Sequence, residues 1–153
     1  MFEEPKRTFG LDVGTKRTGI SIADETLTLA SPLTHIEAKQ KKEWLKKLIA
    51  FLENYKVEQI IVGVPLNHHG EEGEDAERIQ QYIALLREKV SYPVIEWDER
   101  FTTVQAERTL ITADVSRKDR KQVVDKVAAS IMLQSYLDHL RFTRESIPPW
   151  ENK

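Results

Sequence analysis

The hydrophobic pattern of this chain changes character after Glu37, and that change decides the fold class. Up to Glu37 the apolar residues come in short runs separated by polar turns. "RTFGLDV", Arg7 to Val13, is mostly apolar and has the length of a central strand. Gly14 to Arg17 is a turn in which the glycine supplies unusual backbone angles. "TGISIAD" then alternates Ile20 and Ile22 with Ser21 and Ala23, as a strand does. "DET" is a second turn. "LTLASPLTHIE" is a third strand, in which Pro32 signals an edge or a bulge. The opening is a three-strand antiparallel meander.

Beyond it, helical and strand periods alternate. Lys41 to Tyr55 places Trp44, Leu45, Leu48, Ile49 and Leu52 on one side of an amphipathic helix. "VEQIIVGVP" is a buried strand ended by Gly63 and Pro65. A polar loop, "NHHGEEGED", leads to a helix carrying Ala76, Ile79, Ile83 and Leu86. "YPVIEWDER" is a last strand, and "TTVQAERTLI" a short helix that Thr102 caps with Gln105 as capping-box partner. "TADVSRKDRK" reads as a charged loop. A final helix spans about Lys118 to Leu140, with Val124, Val127, Ala128, Ile131 and Met132 on its apolar side. The order β-β-β-α-β-α-β-α-α predicts an α/β fold, a mixed five-stranded sheet with helices on both faces. One domain covers residues 1–153, with its core at about 7–140 and a tail at 141–153 whose two prolines stop a helix.

The 153 residues include no cysteine, which excludes disulfides and thiolate metal sites. The N-terminal "MFEEPKRTF" has acids and no apolar core, unlike a secretory signal, and no run approaches the ~18 apolar residues of a membrane helix. The expected location is the cytoplasm, with no membrane partner. A formal net charge of -2 excludes a uniformly basic nucleic-acid coat, but Lys16-Arg17 and "RKDRK" (117–121) form local basic patches.

Acids recur at the ends of elements. Asp12 lies near the end of the first strand, Asp98 and Glu99 end the last, and Asp125 lies early in the final helix. Sites in open α/β sheets form beyond the carboxyl ends of parallel strands. Small Ala128 and Ala129 let the final helix lie close to the sheet and bring Asp125 to the other acids. Asp98 and Glu99 point to opposite faces, so one of them reaches the site, and periodicity does not choose between them. Converging carboxylates need cations, and hard oxygen ligands suit Mg2+ or Mn2+. Two such ions activate a water and stabilise the leaving oxygen in phosphodiester hydrolysis. Lys16, Arg17, Arg100, Arg117, Lys118, Arg120 and Lys121, with the hydroxyl of Thr103, are the candidate contacts to a nucleic-acid backbone.

"LDVGTKRTGISIAD", "IIVGVPLNHHGEEGEDAERI", "DERFTTVQAERTL" and "DKVAASIMLQSYLD" resemble, in order and spacing, the YqgF family, also called RuvX. The resemblance covers about Thr8 to Leu140. It implies an RNase H-like fold related to the RuvC resolvases. It also implies a bacterial cytoplasmic hydrolase, a metal-dependent endonuclease processing the 5′ end of pre-16S rRNA in ribosome biogenesis. Holliday junction cleavage in DNA recombination is the alternative. It carries the catalytic and metal-ligand roles to Asp12, Glu99 and Asp125. "VGVPL" lacks the acid that RuvC has on its fourth strand, so Glu99 takes that place. The partner is structured RNA or branched DNA, and the chain acts as a monomer or a homodimer.

Each residue has a plainer reading beside this one. Asp12 reads also as the cap of its own turn, and Asp125 as an acid suited to a helix start. His68 and His69 read as solvated loop residues rather than as metal ligands. As a whole, the chain also fits a non-catalytic nucleic-acid-binding module. "LDVGTKRTG" further resembles the phosphate-binding turn of the actin and sugar-kinase superfamily, but those proteins enclose ATP between two domains.

Overall fold

A computed structural model of the chain describes residues 4–66, 69, 73–98 and 117–146, the last segment with side chains over 127–141. Five strands form one sheet: β1 (Arg7–Val13), β2 (Arg17–Ala23), β3 (Ala30–Glu37), β4 (Val57–Val64) and β5 (Val94–Asp98), in the order β3-β2-β1-β4-β5. The β1–β2 and β2–β3 pairs are antiparallel, and β1–β4 and β4–β5 are parallel. Helices α1 (Lys41–Leu52) and α2 (Glu74–Lys89) supply the crossovers, and α3 (Arg117–Ser146) follows. The meander and the parallel units are those the sequence predicts.

Strand alternation divides the sheet into two faces. Phe9, Leu11 and Val13 of β1, with Ile60, Val62 and Val64 of β4, are buried against Trp44, Leu48 and Leu52 of α1 and Ala76, Ile79, Ile83 and Leu86 of α2. The intervening residues face α3, where Ala23 and Ile61 pack on Met132, Leu133, Tyr136 and Leu137. Both helical stripes predicted on the first face are found there. Among the described residues no helix is long and apolar enough to cross a membrane.

Pro32 sits on the edge strand, beside a bulge: Ile20 pairs with Thr34 and Ser21 with Pro32, so Leu33 is the extra residue. The third strand starts at Ala30 rather than Leu27, because the Asp24 carboxylate ties the turn closed. Its Oδ1 accepts from the amides of Thr28 (2.7 Å) and Leu29 (2.9 Å), and Leu27 takes φ 57°. Helix α1 stops at Leu52 instead of Tyr55. The Asn54 amide side chain caps the Phe51 carbonyl at 3.0 Å, and the Tyr55 ring turns onto Phe9 at 5.1 Å.

The last helix departs most from expectation. Its buried stripe is Ala128, Ala129, Met132, Leu133, Tyr136 and Leu137, while Val127 and Ile131 lie at its half-buried margin. It begins at Arg117, so "RKDRK" forms its first turns rather than a loop, and it runs on to Ser146, into the expected tail. Lysine and arginine are good helix formers, and nothing in this stretch breaks the helix. The short helix expected at 102–111 lies outside the described residues.

Candidate functional site

Asp12 is half-buried near the carboxyl end of β1, with the parity of Gly10 and therefore on the α3 face. Its partner across β2 is Gly19, and Gly63 is next in register on β4 after the Leu11–Val62 pair. Glycine on both flanks leaves the sheet bare of side chains around the carboxylate. Strand glycines of this kind mark a close approach of something else to the backbone.

The direction of α3 follows from its contacts. Gln134 accepts from the Ala30 amide (2.8 Å) and donates to the Thr28 carbonyl (2.9 Å), at the end of the sheet where β1 begins. Five residues earlier, the Ser21 hydroxyl donates to the Ala129 carbonyl at 2.9 Å beside Gly10. The helix therefore runs antiparallel to β1, and its earlier turns lie toward Asp12. From Ala129 back to position 125 is a rise of about 6 Å. From Gly10 to Asp12 is about 6.8 Å along the strand. The backbone of Asp125 thus stands level with Asp12, on the stripe of Ala129 and Leu133.

On β5, Asp98 pairs with Val64 and shares its parity, which is that of the α1–α2 face. Ile95 and Trp97 have the other parity and pack toward α3. Asp98 is turned away from the face that carries Asp12. Glu99, Arg100 and Thr103 lie outside the described residues. Arg117, Lys118, Arg120 and Lys121 stand in the first two turns of α3. His69 is exposed and His68 lies outside the described residues, and among the described residues no three His, Cys, Asp or Glu side chains form a metal-ligand group.

The β1–β2 turn beside Asp12 is tightly built. The Gly14 amide donates to the Arg17 carbonyl at 2.7 Å. A Cβ on Gly14 would lie 2.6 Å from that same oxygen, with φ outside the left-handed region. Space, and not an unusual backbone angle, requires glycine here. Lys16 is exposed at the tip, while Arg17 pairs with Glu37 of β3 at 3.3 Å. A phosphate at Arg17 would compete with that carboxylate.

Four residues escape a reading of the sequence. Gly19 and Gly63 bare the floor, and Ser21 ties α3 to the sheet. Arg78 of α2 donates to the carbonyls of Val13 (3.1 Å) and Gly14 (3.3 Å). Farther along the α3 face, burial pushes the Tyr136 phenol above its ordinary range, partly offset by a hydrogen bond with Gln59, so it stays neutral.

Similarity to known proteins agrees with this architecture. The model of the RuvX family, described as Holliday junction resolvase, matches residues 6–139. A relative from Geobacillus kaustophilus named "Putative pre-16S rRNA nuclease" is 47% identical over 137 residues, covering 88% of this chain and 99% of that one. RuvC of T. thermophilus, solved with a Holliday junction substrate, superposes with a TM-score of 0.58 at 13% identity, covering 90% of this chain and 97% of its own. The Fowlpox virus resolvase, solved with Holliday junction DNA, gives 0.55 at 16% identity, covering 88% and 98%. At such identities the two structures speak for the fold alone, which is the RNase H-like fold of resolvases. With the family match spanning nearly the whole chain and every strand of the sheet, the chain belongs to the RuvX family.

Proposed function

We propose that this chain is a divalent-metal-dependent nuclease that hydrolyses phosphodiester bonds at the 5′ end of pre-16S rRNA in the cytoplasm. The observation that carries the reading is the setting of Asp12. It is a half-buried carboxylate at the carboxyl end of a central strand, flanked by glycines, on the face toward which the early turns of α3 run. The name carried by the Geobacillus relative supports the RNA substrate. The description of the family supports a second reading, cleavage of four-way DNA junctions.

The chemistry of the donors fits a hard divalent ion, since Asp12, Glu99 and Asp125 offer only carboxylate oxygens. Glu99 is preferred to Asp98 because β5 parity turns Asp98 to the face opposite Asp12, which leaves Glu99, to which the family resemblance carries the role. Mg2+ or Mn2+ held there, as one ion or a pair, would neutralise the carboxylates and supply Lewis acidity toward the scissile phosphate. The flanking glycines put no strand side chain between the carboxylate and an approaching phosphate. Lys16 and Arg17 on the turn hold the backbone on one side, and Arg100 and Thr103, which lie outside the described residues, are assigned contacts to it as well. Arg117, Lys118, Arg120 and Lys121 hold it on the other. Four cations against one acid, Asp119, stand in the first turns of α3, where the helix dipole disfavours positive charge, and that excess supports an anionic partner.

The test is cleavage of a pre-16S rRNA fragment and of a four-way DNA junction by the purified chain in Mg2+ or Mn2+. Product is expected from the RNA, and Asp12→Asn should lose it while binding the RNA as tightly as before. A variant that cuts at the wild-type rate refutes the assignment of Asp12. Product from the junction alone selects the second reading. Salt-sensitive binding without product in either metal leaves a binding module instead.

A further inference from the structure

We propose that Arg78 is a positioning residue of the Asp12 site, clamping the β1–β2 turn from the opposite face of the sheet. The inference rests on the nuclease reading for its purpose and on geometry for its substance. The parallel β1–β4 ladder ends at the Leu11–Val62 pair, before β1 itself ends. Beyond that point Arg78 takes over. Nη2 donates to the Val13 carbonyl at 3.1 Å and Nη1 to the Gly14 carbonyl at 3.3 Å. Holding two consecutive carbonyls requires two donors in a fixed planar fork, which among side chains is a property of guanidinium.

The side chain is drawn inward at a cost. Its buried Nε has no hydrogen bond among the described residues, and the Asp75 carboxylate lies 4.0 Å from it. An arginine on a surface helix avoids that by turning into water. Here the guanidinium lies 5.8 Å from the centre of the Tyr82 ring, which packs edge-on against Trp44 at 4.7 Å. Trp44 in turn donates from Nε1 to the Thr18 hydroxyl at 2.8 Å. Thr18 is the strand partner of Val13, so both legs of the turn are tied to the helices behind the sheet. Asp12 immediately precedes Val13. Fixing the Val13 and Gly14 carbonyls fixes the two peptide planes that follow Val13, which holds the strand end that carries the carboxylate and sets where Lys16 stands.

Arg78→Met keeps the apolar stem and removes both donors, and Arg78→Lys keeps the charge without the fork. Two readouts other than cleavage are needed: amide hydrogen exchange at Gly14 to Arg17, and titration with Mn2+ alone. In Arg78→Met, exchange in the turn should rise about tenfold more than in α1 and α2. Affinity for Mn2+ should fall by about tenfold, as when a group behind a ligand is lost. Arg78→Lys should fall between that variant and wild type. Asp75→Asn, which breaks the ion pair without touching the carbonyls, should leave exchange in the turn unchanged. Exchange in Arg78→Met that is unchanged in the turn, or raised equally throughout, overturns the clamp. A loosened turn with unaltered Mn2+ affinity overturns the positioning role. A wild-type chain that neither binds Mn2+ nor cleaves nucleic acid sinks the nuclease reading instead, and exchange in the turn then decides the clamp by itself.

Discussion

Adding one methyl group at Gly10 tests the contact that seats α3 on the sheet. A Cβ built there lies 2.5 Å from the Ser21 hydroxyl oxygen, 2.9 Å from the Leu133 Cβ and 3.3 Å from the Ala129 carbonyl oxygen. Carbon contacts are comfortable at about 3.5–4.0 Å, so helix and strand would have to part by roughly half an ångström or more. Overpacking by a methylene-sized group costs about 1–3 kcal/mol. Ser21 could rotate away, but it would then abandon the Ala129 carbonyl at 2.9 Å, a buried hydrogen bond worth about 1 kcal/mol. Alanine restricts the unfolded chain more than glycine does, which returns about 0.4–1 kcal/mol. The net expectation for Gly10→Ala is a loss of about 2–3 kcal/mol. Urea denaturation reads this as a midpoint lowered by about 1–2 M at unchanged slope. Ser21→Ala removes the nearest clashing atom, so the double variant should be less destabilised than the sum of the singles, by about 1 kcal/mol. A Gly10→Ala chain with the wild-type midpoint, or strict additivity in the cycle, would refute the close-approach argument. Cleavage should fall as well, since displacing α3 also displaces the turns that lie toward Asp12.

Thr18→Val should strand the Trp44 indole donor in a setting where Thr18 is 2% and Trp44 3% exposed. A buried unpaired donor costs about 1–3 kcal/mol, which thermal unfolding should show as a drop of roughly 3–10 °C. The Asp24 carboxyl is held below its ordinary value of 3.8, first by the Leu29 amide, then by the Thr26 hydroxyl and the Thr28 amide. A depressed folded pKa contributes stability that is present above the unfolded value and lost as pH falls through the folded one. Asp24→Asn should therefore flatten the acid side of the stability curve below pH 3.8, and an NMR titration placing the Asp24 midpoint at or above 3.8 would contradict it.

The sequence shows the sheet more clearly than the site. Period-two runs and short polar turns make β1, β2 and β3 legible, and Pro32 marks the edge bulge for a local reason, its missing amide donor. The stripes of α1 and α2 are legible because polar residues cleanly fill their outer sides. In "VVDKVAASIML" apolar residues occupy several sides of the helix, so periodicity cannot choose the buried stripe. The choice is made by Gly10 and Ser21, 108 residues away from Ala129 in the case of the hydroxyl. Asp98 and Glu99 are adjacent acids, and only the Val64–Asp98 register tells which face Asp98 takes. Arg78, among the polar residues of α2, reads as one more solvated cation until the strand end comes within reach of it. Gly19 and Gly63 look like strand weaknesses until Asp12 is found between them.

The two faces of β1 are given to different tasks. Phe9, Leu11 and Val13 lie against α1 and α2, where Phe51 and Tyr55 meet Phe9 at ring distances of 6.4 and 5.1 Å. Thr8, Gly10 and Asp12 face α3, where small or polar side chains let a helix come close to bare backbone. A carboxylate at Leu11, which is fully buried, would face a large desolvation penalty. At Asp12 the strand is ending, the flanking residues are glycines and the side chain is half in solvent, so the same charge costs far less. Because side chains alternate with a period of two, a one-residue slip of β1 would exchange these roles and bury the acid among aromatics. The Arg78 and Trp44–Thr18 ties at the end of the strand oppose that slip. The contacts that stabilise the apolar face therefore also keep the acid on the face where chemistry is possible.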